Sequence, residues 1–117
     1  MSITEFLLAR IEEDAAVARN AAMRIDDDRR AEWSEAGSGV LDTGDELWPI
    51  GDSRISRLAE RFDPARVLAE CKAIRRIVER HSACDDVSYG DASTCPDMRD
   101  LASVYASHPD YRDEWQA

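Results

Sequence analysis

A chain of 117 residues with 44% hydrophobic side chains has the size of one domain and enough apolar content to build a core, which excludes wholesale disorder. Its formal net charge of −10 excludes sequence-independent binding to DNA or RNA and disfavours an anionic membrane surface, since both need clustered Lys and Arg. No apolar run approaches the roughly 20 residues that span a bilayer, and the N-terminus lacks a basic stretch followed by an apolar one, so the expected location is the cytoplasm. In that compartment the three cysteines read as thiols or metal ligands before disulfides.

Ser2 and Glu5 form an S-x-x-E capping box, and Ile3, Leu7, Ile11, Ala15, Ala18 and Ala22 follow at spacings of three and four. This predicts one long helix to about residue 25, with Glu12, Glu13 and Asp14 on a solvated face. The run Asp26–Asp28 followed by Arg29 and Arg30 lacks the alternation and glycine of a calcium loop and reads as a helix end.

Residues 31–57 change character. Glycines 37, 39, 44 and 51 punctuate short apolar runs at Val40-Leu41 and Glu46–Ile50. The pattern predicts a small antiparallel sheet of two or three strands, turning at residues 41–46, with Pro49 on an edge and Ser53–Leu58 as a third strand. Trp33 and Trp48 read as the core of that sheet.

Asp63-Pro64 opens a second long helix, to His81: an acid at the cap, then proline in the first turn. Val67, Cys71, Ile74 and Val78 make its apolar stripe, thickened by Leu68 and Ile77. Cys71 is expected as a buried small hydrophobe. Residues 63–83 carry five basic and three acidic side chains, a basic island that either pairs with the acidic flanks or binds a partner. A polar loop, 82–94, leads to a short helix from Pro96 with Met98, Leu101, Ala102 and Tyr105 on one face. Tyr111 and Trp115 are expected to fold back onto the core. The fold class is therefore α+β, in a single domain spanning 1–117.

The residues that suggest chemistry are His81, Cys84 and Cys95. Two soft ligands and an imidazole bracketing one loop match the way small domains use structural zinc. His108 is too remote to complete the set, because an intervening helix of about eleven residues separates it from Cys95 by on the order of 16 Å; the fourth ligand falls to Asp85, Asp86, Asp97 or another chain. A Cys84–Cys95 disulfide and unlinked side chains are the alternatives. Cys–His catalysis is disfavoured, because Asp85 and Asp86 oppose a thiolate at Cys84. His108, before Pro109, reads as a helix stop whose ring bonds a carbonyl. The chain contains no phosphate-binding glycine loop, no H-E-x-x-H and no G-x-S-x-G.

Three stretches carry a family resemblance: ARIEEDAAVAR in the first helix, FDPARVLAECKAIRRIVERH, and CPDMRDLASVYASHPDYRDEW. The pairing of D-P-A-R-V-L with a closing Y-A-x-H-P-D-Y-x-x-x-W resembles a family of small proteins of unknown function from actinobacteria and their phages. The resemblance implies no activity, substrate or cofactor. It raises the expectation of a phage accessory protein, or a host protein of phage origin.

These readings converge on a small acidic interaction protein, not an enzyme, that binds a host or phage protein. One version of it is a DNA mimic that occupies a basic site. A zinc-stabilised structural module and a small metal-dependent hydrolase or nuclease are the alternatives. A homodimer through the alanine-rich face of the first helix is a further expectation.

Overall fold

The computed structural model describes residues 1–22, 32–44, 46–82 and 95–116. In chain order it contains helix α1 (Ile3–Ala22), strands β1 (Ser34–Glu35), β2 (Val40–Asp42) and β3 (Leu47–Pro49), helices α2 (Ser53–Arg61), α3 (Pro64–His81) and α4 (Pro96–Ser103), and a closing 3₁₀ turn (Asp113–Trp115). The class is α+β, with the long first helix and the small antiparallel sheet that the pattern predicts. Residues group into two compact units: Met1–Glu13 with Lys72–Ala117, and Asp14–Cys71. The unit boundaries fall inside α1 and α3.

In the first unit Ser2 caps α1 as its sequence predicts: the Glu5 N–H donates to Ser2 Oγ at 3.1 Å, the serine half of the capping box. From its first residue the stripe of α1 is buried, at Ile3, Leu7 and Ile11, joined by Phe6. Phe6 organises the aromatic residues of the C-terminal segment. Its ring centroid lies 5.0 Å from Trp115, 6.1 Å from Tyr111 and 6.2 Å from Tyr105. Trp115 thus folds back, as its spacing predicts, and is almost fully buried. Val78, Met98 and Ala102 are also buried.

Arg10 occupies a core position of this unit. Its guanidinium stands 5.1 Å over the Phe6 ring, donates to Glu13 Oε1 at 2.7 Å, and lies 2.9 Å from Nδ1 of His108. The Asp110 N–H also donates to that nitrogen, at 3.0 Å. With two donors facing Nδ1, the neutral ring carries its proton on Nε2. This corrects the expectation that His108 bonds a carbonyl: its free lone pair is taken by an arginine and by a backbone N–H two residues on. The helix expected to run to His108 also stops earlier, at Ser103, and continues as turns.

The second unit holds the sheet, an antiparallel meander in the order β1-β2-β3. Its register pairs Glu35 with Leu41 and Leu41 with Trp48. The β2–β3 turn falls where residues 41–46 predict it, and Pro49 lies on edge strand β3. Two expectations fail. The third strand is Ser34–Glu35, and Ser53–Leu58 is helical. Gly51, at φ +85°, ends the extended run. Asp52 then caps the next segment by accepting the Arg54 N–H at 2.9 Å. Ile55, Leu58 and Phe62 repeat at helical spacing and not at a period of two, and Arg, Leu, Ala and Glu are good helix formers. The tryptophans are also placed differently: Trp48 is exposed and Trp33 half-buried. A sheet of two- and three-residue strands has too little inner face to cover two indoles, so only Leu41 is buried in it.

Asp63 starts α3 as its sequence predicts. One carboxylate oxygen accepts the Arg66 N–H at 2.9 Å, and the other accepts the Trp33 N–H at 3.1 Å, fixing the approach to β1. Cys71 is buried and takes part in no disulfide among the described residues.

Candidate functional site

Two features have functional content. The first lies in the first unit, where α3 ends and α4 begins. His81 is the last residue of α3 and Cys95 the residue before α4. Pro96 in the first turn forces the chain into the helix and leaves Cys95 extended, at φ −68° and ψ 120°. Its side chain makes no capping hydrogen bond and is buried, 2% exposed. Sγ faces Nδ1 of His81 at 3.4 Å. On the other side of the ring, Nε2 stands 3.5 Å from Oδ2 of Asp97, in the first turn of α4. One ligand atom from each of His81, Cys95 and Asp97 can be chosen so that all three lie within 4.8 Å of one another. Beside them is an open cleft of about 470 Å³, lined by His81 and Asp97 together with Ile77, Arg80, Asp100, Leu101 and Val104.

Of the three residues singled out in the sequence, His81 and Cys95 are brought together. Cys84 lies outside the described residues, as do Asp85, Asp86 and Asp26–Asp28. Asp97, one of the alternatives for a fourth ligand, joins the cluster. His108 is engaged elsewhere, with Arg10 and Asp110.

The second feature is α2. This helix packs on β1 and β2, and the side chain it buries is Ser56, at 0% exposure, with Ala59 half-buried. Ser56 satisfies its hydroxyl on the carbonyls of Asp52 and Ser53. The large apolar residues face the other way. Ile55, Leu58 and Phe62, at i, i+3 and i+7, are 55%, 60% and 44% exposed. Leu47, Trp48 and Ile50 are exposed as well.

The flanks of this stripe are basic. The Arg66 guanidinium stands 4.4 Å over the Phe62 ring and is paired with Glu70. Arg54 is paired with Asp52, and that hydrogen-bonded pair holds the Asp52 carboxyl below its ordinary value and the Arg54 guanidinium above its own. Arg57 and Arg61 are exposed and make no ion pair among the described residues. The sequence contained this signal in the spacing of Ile55, Leu58 and Phe62, but the strand assignment hid it.

The whole chain, residues 1–117, matches the model of a Family of unknown function (DUF6221), and the chain belongs to that family. No curated protein matches it, and no solved structure does.

Proposed function

We propose that this member of a family of unknown function is a non-catalytic interaction module that uses the outward face of α2 to bind an acidic amphipathic segment of a partner protein. One observation carries the reading: a helix that turns serine toward its own sheet and Ile55, Leu58 and Phe62 toward solvent. An amphipathic helix ordinarily buries its apolar stripe. Contiguous exposed apolar side chains at i, i+3 and i+7, rimmed by polar residues, are the mark of a contact surface. The chemistry of the partner follows from the rim. In a chain of net charge −10, Arg57 and Arg61 border the stripe and make no ion pair among the described residues, which favours a negatively charged partner. The family resemblance supports an accessory role in the cytoplasm of an actinobacterium or of a phage-infected cell.

The test is site-specific photo-crosslinking in cells, with the reactive side chain at position 58 and, as a control, at the exposed position 17 of α1. The expected result is a discrete protein adduct from position 58 that is absent from position 17, maps to an acidic segment, and is lost in Arg57→Glu/Arg61→Glu. Adducts that survive that double reversal, adducts to nucleic acid, or adducts to a second copy of this chain overturn the proposal.

A further inference from the structure

We infer that His81, Cys95 and Asp97 form a divalent-metal site whose donors select zinc. The inference is independent of the α2 surface. Cys95 and His81 already stand at the right separation. A tetrahedral zinc holds sulfur at about 2.3 Å and nitrogen at about 2.0–2.1 Å, which places those two donors roughly 3.6 Å apart. Sγ and Nδ1 are 3.4 Å apart here. The third donor is already beside them. The Asp97 side chain is 66% exposed, so its carboxylate can turn from Nε2 toward an ion on the Nδ1 side without disturbing the core.

Donor chemistry narrows the choice of ion. Magnesium and calcium take hard oxygen ligands, whereas a thiolate with an imidazole and one carboxylate suits zinc. Cys95 is also available in a way that a core cysteine such as Cys71 is not. It occupies the cap position of α4 without bonding the free N–H groups of the helix, and a metal thiolate there sits at the positive end of the helix dipole. On binding, the ion replaces the thiol proton of Cys95, which leaves to solvent, and takes the Nδ1 lone pair of neutral His81. Three protein donors leave a fourth position. The adjoining cleft, walled by Ile77, Leu101 and Val104, gives that position access to water and gives the ion a path in. The consequence for the fold is a clamp between the end of α3 and the start of α4, so that metal binding adds to folding stability.

The test uses the full chain, stripped with chelator and titrated with Co²⁺ and then Zn²⁺. The expected result is one equivalent of Co²⁺ with a sulfur-to-cobalt charge-transfer band. Zinc abolishes that band by displacement, Cys95→Ser loses its intensity, and Cys71→Ser retains it. Asp97→Asn, a change at a side chain that is 66% exposed, should bind roughly tenfold or more weakly, with the helical signal of the metal-free chain showing that it folds. Binding without a charge-transfer band, a band unchanged in Cys95→Ser, or undiminished affinity in Asp97→Asn overturns the site.

Discussion

Gly39→Ala tests the reasoning about the second unit most directly, with Gly37→Ala as its internal control. Both glycines lie in the β1–β2 turn with positive φ, +96° at Gly37 and +77° at Gly39. An L-residue there costs about 1–2 kcal/mol, offset by about 0.4–1 kcal/mol from the smaller entropy of the unfolded alanine chain. Conformation alone therefore predicts a loss of about 1 kcal/mol at either position. Their surroundings differ. A Cβ on Gly37 meets nothing within 4 Å, whereas one on Gly39 falls 2.7 Å from the Asp52 nitrogen and 2.9 Å from the Gly51 carbonyl carbon. Those are backbone atoms, and the Ile50 and Gly51 N–H groups donate to the Gly39 carbonyl at 2.9 and 3.0 Å. The clash cannot be relieved by rotating a side chain, so the turn must separate from the start of α2. Overpacking of this kind adds about 1–3 kcal/mol. The expected total is about 2–4 kcal/mol for Gly39→Ala against about 1 for Gly37→Ala. Urea unfolding followed by tryptophan fluorescence measures both, since Trp33 and Trp48 report on this unit. Equal losses in the two variants, or the larger loss at Gly37, would refute the close approach of Gly39 to residues 51–52.

Two further perturbations test separate parts of the structure. Trp115→Ala should cost about 3–5 kcal/mol, as expected for emptying a buried indole site, whereas Trp48→Ala should cost about 1–2 kcal/mol, because its ring is only partly covered and its indole N–H donates a hydrogen bond to Thr43 Oγ1; thermal melts of the pair check this, and equal losses contradict the aromatic cluster around Phe6. Asp52 should make stability depend on acidity: its carboxyl titrates below the ordinary value because Arg54 bonds it, so its contribution is complete above the usual aspartate range and is lost as pH falls through the depressed value. The difference in melting temperature between the wild-type chain and Asp52→Asn should accordingly narrow between neutral pH and about pH 3, and a constant difference would remove the Asp52–Arg54 pair from the account.

Local chemistry alone determined much of this protein. Ser2 with Glu5, and Asp63 with Pro64, mark helix starts because capping is decided within one turn of chain. The stripe of α1, burial of Cys71 and the return of Trp115 follow from spacing and apolarity, and the β2–β3 turn from its glycine and acidic residues. The pairing of His81 with Cys95 was legible as spacing around one loop. What lay beyond the sequence depends on which surfaces meet. A run such as Ser53–Leu58 suits a short strand or a short helix until Gly51, Asp52 and the strands beneath it decide, and a stripe does not reveal which way it faces. The structure turned Ser56 inward and Ile55, Leu58 and Phe62 outward, left Trp48 at the surface because the sheet is too small to cover it, and drew Arg10 into the core against Phe6 and His108. Asp97 was only one of several candidate acids until the first turn of α4 placed it beside the His81 ring. Caps and periods act over a few residues, whereas orientation and convergence require contacts among residues far apart in the chain, and those exist only once the chain has folded.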